Sequence, residues 1–216
     1  IGGSYLASKP DLTYKRFIKS LIDKNYAVHA YKYTPQFDHQ ELAIRAWKDF
    51  KSCQRSLSKR IGTSIPSIRI GHSLGCKLHL ISPDGGRNCE KFISISFNNF
   101  SAKRSIPFLK KISQKLDFNS EFSPSPERTF GIIKKTYNQK NNFLIKFNSD
   151  ELDQTDKLLF CLRARKEDNS KGIKLKGTHT IIASAGLREN FLGDWADDDF
   201  KRNTIKQISN LIDKSI

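Results

Sequence analysis

The sequence predicts an α/β fold, doubly wound, with a mainly parallel sheet and helices on both of its faces. Three observations carry that prediction. Short β-branched or aromatic runs alternate with amphipathic helical runs along most of the chain. The alternation contains no internal repeat. One junction, from Ser67 to Ile81, joins a short strand to a helix through the sharp turn Gly71-His72-Ser73-Leu74-Gly75. Such alternation makes consecutive strands parallel, because each helix carries the chain back along the sheet before the next strand starts. A length of 216 residues suits one domain with a single large core.

The elements follow in order. Ile1-Gly2-Gly3 reads as the end of a strand, and Ser4-Tyr5 as the turn after it. The sequence holds no Met, and the expectation is that earlier strands and any targeting segment lie upstream. Asp11 is placed to cap a helix whose Tyr14, Phe17, Ile18, Leu21 and Ile22 make one apolar stripe, closed by Asn25. Residues 26–33 read as a strand, with His29 as a core histidine. Asp38 is placed to cap a long helix over 40–60, with Ala43, Trp47, Phe50 and Leu57 on one face and basic residues opposite. Gly62 and Pro66 stop it before the strand that leads to Ser73. A helix over 74–82 and a strand over 91–97 come next. Residues 101–140 break the alternation and are expected to form a cap over the site, inserted into a core made of 1–100 and 141–216. A strand over 142–147, a helix over 154–165, a strand over 173–175 and a helix over 200–213 complete the chain. An acidic turn with Asp194, Asp197, Asp198 and Asp199 precedes the last helix.

The turn at Ser73 is the pattern of a nucleophile elbow, G-x-S-x-G. Its demand is steric: a serine raised above the sheet on a strained turn brings neighbouring chain so close that only glycine fits two residues to either side. The helix that begins at the serine offers free N–H groups where an oxyanion would form. This arrangement is that of the α/β-hydrolases, in which the nucleophile, an acid and a histidine follow in chain order at three strand ends. Here they are Ser73, Asp150 and His179. Asp153, three residues on, is a rival acid. Of five histidines, only His179 follows either acid. The oxyanion is expected to be held by the Leu74 amide and by that of Ser4 or Tyr5. His72 is read as packing behind the elbow, and Cys76 and His79 as structural residues of its helix.

Charge and cysteines bound the partners. The net charge is +16. A lysine-rich proteome explains it first, an anionic membrane surface second, and nucleic acid last, since no recognition motif for nucleic acid is present. The four cysteines have no metal-ligand spacing and read as reduced thiols. No metal and no cofactor is called for, and no apolar run is long enough to span a bilayer.

Several stretches carry a resemblance: 71–80 (Gly-His-Ser-Leu-Gly-Cys-Lys-Leu-His-Leu), 95–100 (Ile-Ser-Phe-Asn-Asn-Phe), 122–127 (Phe-Ser-Pro-Ser-Pro-Glu) and 144–155 (Leu-Ile-Lys-Phe-Asn-Ser-Asp-Glu-Leu-Asp-Gln-Thr). Tyr-Lys-Arg-Phe at 14–17 and Phe-Asp-His-Gln at 37–40 join them. The chain resembles domain-of-unknown-function family 1350, an α/β-hydrolase-like family of cyanobacteria and plant plastids. The resemblance implies the fold, the elbow serine and a soluble or thylakoid-associated setting, with no settled substrate. Two functions are therefore expected. The first is a serine hydrolase of carboxylesterase, lipase or thioesterase type, acting through an acyl-enzyme on an apolar acyl ester, small-molecule or lipid. The alternative is a non-catalytic binding or assembly protein on the same fold, with peripheral contact to an anionic membrane.

Overall fold

The computed structural model describes residues 1–105, 121–183 and 199–216. Its sheet has four strands: β1 (Ile68–His72), β2 (Lys91–Ile95), β3 (Asn142–Phe147) and β4 (Lys171–Leu175), in the order β1-β2-β3-β4. All neighbours are parallel, with Ile70 opposite Ile93, Ile93 opposite Phe143 and Ile145 opposite Ile173. Parallel strands all end at one edge of the sheet, so the loops after β1, β3 and β4 meet there.

Side-chain alternation explains why both faces are covered. On one face, Phe92 and Leu144 pack with residues of α4 (Leu74–Leu80), α6 (Pro126–Thr136) and α7 (Thr155–Arg163), among them Leu80, Ile133, Leu158 and Leu162. On the other, Ile93, Ile95, Ile145 and Phe147 pack with Phe17 and Leu21 of α2 (Lys15–Ile22) and with Ile205, Ile208 and Ile212 of α8 (Asp199–Ser215). A third group joins α4 to the start of α3 (His39–Ile61) through Leu42, Ala43, Leu74 and Leu78. The Asp38 carboxylate caps α3 by accepting the Glu41 N–H at 2.8 Å, and Gly62, at φ 73°, ends it. None of the helices among the described residues is long and apolar enough to cross a membrane.

The structure departs from the sequence reading in three places. Asp11 does not cap the first helix. It lies inside α1 (Pro10–Thr13), which Pro10 opens, and the chain breaks at Tyr14 before α2. Residues 26–33 form no strand. A strand needs a neighbour to pair with, and an apolar trough of about 620 Å³, lined by Tyr26, Val28, Trp47, Phe50, Ile68 and Ile70 among others, stands between this segment and β1. Ile1 bridges the upper end, its nitrogen donating to the Ile70 carbonyl at 2.7 Å and its carbonyl accepting the His72 N–H at 3.0 Å. His29, in that segment, is half-buried and meets Asp49 at 2.9 Å rather than sitting in the core. Thirdly, α6, which the sequence assigns to the 101–140 insertion, packs on the sheet through the fully buried Ile133. The described remainder of the insertion is α5 (Ala102–Ser105) and a short stretch at 121–125, where Ser123 pairs with Asp38 beside α3. Residues 106–120, with Phe108, and the acidic residues Asp194, Asp197 and Asp198 lie outside the described residues.

Candidate active site

β1 ends at His72 and α4 begins at Leu74, leaving Ser73 alone on the turn with φ 55° and ψ −122°. A non-glycine residue held there is strained, and the surroundings hold it. A Cβ on Gly71 would lie 2.6 Å from the Cys76 Cα, and one on Gly75 would lie 2.1 Å from the Ile1 carbonyl oxygen. Both glycines of the motif are thus required by backbone approach. The Ser73 N–H donates to the Ile95 carbonyl at 3.0 Å, which ties the elbow to the end of β2.

His179 follows β4, and its Nε2 stands 2.9 Å from Ser73 Oγ. Its Nδ1 stands 2.8 and 3.0 Å from the two oxygens of Asp150, whose side chain is fully covered, in the turn after β3. A carboxylate only accepts, so Nδ1 carries the proton and the Nε2 lone pair faces the serine hydroxyl. Burial alone would raise the Asp150 carboxyl; its hydrogen bond and charge interaction with His179, then Ser96 and the Leu152 N–H, bring it below its ordinary value. Asp153 is engaged elsewhere. Its oxygens accept the Thr155 N–H at 2.9 Å and the Thr155 hydroxyl at 2.7 Å, at the start of α7. The ends of β3 and β4 are knitted together by Asn148 N–H to Leu175 and Ser149 N–H to Gly177, which brings Asp150 to His179.

The turn after Ile1 lies against the nucleophile. A Cβ on Gly3 would meet Ser73 Cβ at 3.0 Å and Ser73 Oγ at 3.5 Å. Ser4 and Tyr5 follow directly, and Tyr5 opens a short 3₁₀ helix to Ser8. The Leu74 N–H is the first of α4 and has no carbonyl within the helix to bond. The Gly3 N–H is taken by the Tyr14 hydroxyl at 2.8 Å, which also meets His72 Nδ1 at 2.8 Å. The sequence placed Tyr14 in an apolar stripe, and no sequence signal separates a packing aromatic from one whose hydroxyl is in use. In α4, Cys76 is buried and His79 is half-buried. Burial raises the Cys76 thiol to about 12, and His79 meets the Ile70 carbonyl at 3.1 Å. Among the described residues, His29, Asp49 and Cys53 are a group whose ligand atoms converge, within 4.8 Å, between α3 and the 26–33 segment rather than at Ser73.

A parallel sheet covered on both faces, with a strained serine at the elbow after β1, defines the α/β-hydrolase fold, and solved structures agree. The chain is similar to a monoacylglycerol lipase of Paleococcus ferrophilus, with TM-score 0.57 and 14% identity over 97% of this chain and 92% of that one. It is similar to an esterase of Pyrococcus furiosus, with TM-score 0.56 and 13% identity over 99% and 81%. The esterase domain of a Rhodothermus marinus protein gives 0.54 and 13% over 97% and 83%. At such identities the likeness is one of fold. The chain belongs to the family described as protein of unknown function (DUF1350), whose model matches residues 1–207. No curated protein matches it.

Proposed function

We propose that the protein is a serine hydrolase that cleaves a small-molecule or lipid ester through an acyl-enzyme. The observation that supports the reading most is the unbroken hydrogen-bonded run from Ser73 Oγ to His179 to Asp150, at 2.9 and 2.8 Å. In the first step Ser73 Oγ attacks the ester carbonyl while His179 Nε2 takes the hydroxyl proton. Asp150 fixes the imidazole tautomer and stabilises the imidazolium. The Leu74 N–H and that of Ser4 or Tyr5 receive the oxyanion, and His179 returns the proton to the leaving alcohol. Water, activated by the same imidazole, then frees the acid. Esterase and lipase relatives of the fold support an ester as substrate, and the phenylalanines of 100–122 support an apolar acyl group. The net charge of +16 supports a working place at an anionic surface.

A fluorophosphonate probe tests the reading. Native protein is expected to take one label on Ser73, and Ser73→Ala none. A folded native protein that takes no label would move the assignment to a binding or assembly role.

A further inference from the structure

The network behind the elbow contains three buried groups that the catalytic steps do not use. Gly3 N–H meets Tyr14 Oη, Tyr14 Oη meets His72 Nδ1, and His72 Nε2 meets the His179 carbonyl oxygen, each at 2.8 Å. We propose that Tyr14 and His72 are positioning residues, forming one strut that sets the oxyanion turn and the His179 loop relative to Ser73. The inference rests on the hydrolase reading above and names two further side chains for it.

The proton positions in the strut are forced. The His179 carbonyl can only accept, so His72 Nε2 carries the hydrogen. Nδ1 of the neutral ring is then an acceptor, so the Tyr14 hydroxyl donates to it. That leaves the Tyr14 oxygen to accept the Gly3 N–H. The strut therefore has one direction and no second arrangement of its hydrogens. Its environment keeps it so: burial, then the neighbouring His179, lowers the His72 imidazole to about 3, and burial pushes the Tyr14 phenol up. Packing fixes its ends. A Cβ on Gly2 would meet the Tyr14 ring at 2.5 Å, and one on Gly3 would meet His72 Nδ1 at 3.3 Å. One end of the strut is thus the residue before Ser4, the other is the backbone of His179, and its middle is the residue before Ser73. Groups that must be placed to a fraction of an ångström are held here by side chains whose own hydrogen bonds are complete.

Tyr14→Phe removes one oxygen and keeps the ring, and two measurements on the whole chain read the result. In imidazole nitrogen spectra, His72 is expected as the neutral tautomer protonated at Nε2, in the native protein and in Ser73→Ala alike. Tyr14→Phe is expected to make that proton exchange about tenfold faster. A proton on Nδ1, or a signal indifferent to the variant, overturns the strut whether or not the protein turns over an ester. In kinetics with an aryl ester, kcat is expected to fall about tenfold to a hundredfold while KM changes less than about threefold. Lower thermal stability with unchanged kcat would make Tyr14 a packing residue only and overturn the proposal. A native protein that is not labelled at Ser73 but shows the expected tautomer sinks the hydrolase reading and leaves the strut standing as structure.

Discussion

At the scale of residues, two aspartates three positions apart have different work. Asp150 sits on His179, and Asp153 holds the first turn of α7. Asp150→Asn is expected to lower kcat by about 10⁴-fold, because the amide can hold the imidazole in the wrong tautomer. Asp153→Asn is expected to leave kcat within about threefold and to cost about 1 kcal/mol of stability or less, the value of one weakened hydrogen bond to Thr155. Steady-state kinetics with one aryl ester and a urea titration of both variants check this, and the reverse ranking would assign the acid to Asp153. Along the sequence Asp150 is favoured over Asp153 only because it comes sooner after the strand. What separates them is the joining of two loops by Asn148 and Ser149, a contact between segments almost thirty residues apart. Tyr14 escaped for a different reason. Its ring obeys the helical stripe, and the hydroxyl's partners, Gly3 and His72, come from other elements.

Elements carry their own tests, since the glycines differ in what surrounds them. Gly75→Ala puts a methyl 2.1 Å from the Ile1 carbonyl oxygen, so the elbow must shift. It is expected to destabilise by about 1–3 kcal/mol or more and to abolish labelling. Gly131, within α6, has nothing within 4 Å of its would-be Cβ. Gly131→Ala is expected to stabilise by about 0.5–1 kcal/mol, a gain of about 1–4 °C in Tm by calorimetry. A destabilised Gly131→Ala would contradict the placement of α6. The strand β1 and the turn after α4 are joined by a buried ion pair, Arg69 Nη1 to Asp84 Oδ1 at 2.9 Å and Arg69 Nη2 to Asp84 Oδ2 at 2.5 Å. Burial would raise the Asp84 carboxyl, but Arg69, Ser82 and the Gly86 N–H hold it well below its ordinary 3.8. A carboxyl depressed in the folded state stabilises fully above the unfolded value and loses that contribution as pH falls below it. Asp84→Asn, which leaves the guanidinium buried and unpaired, is expected to cost about 3–5 kcal/mol at pH 7 and to flatten the stability curve between about pH 5 and 3. Urea unfolding at a series of pH values reads both effects. The existence and kind of most elements were legible, because their periodicity is local. The strand expected over 26–33 failed because pairing is not local: its composition is right, but the chain beside it is a trough rather than a neighbour.

At the scale of the molecule, the site is a product of topology. Ser73, Asp150 and His179 lie on three loops, separated by up to 106 positions, and a parallel sheet brings those loops to one edge. The sequence order of serine, acid and histidine made that meeting foreseeable, since few folds give that order a purpose. The positive charge is also a whole-molecule property. Sedimentation with vesicles rich in anionic lipid is expected to carry the protein down at low salt and to release it at about 0.5 M, where charges are screened within a few ångströms. Equal sedimentation with neutral vesicles would contradict an electrostatic contact. The most direct test of the central claim is a pre-steady-state measurement of p-nitrophenolate release from a p-nitrophenyl ester, with the intact mass of the quenched protein. The account predicts a burst of about one equivalent per chain and an acyl mass increment on the peptide carrying Ser73, both absent in Ser73→Ala. Release without a burst and without an acylated Ser73, or release undiminished in Ser73→Ala, would contradict it.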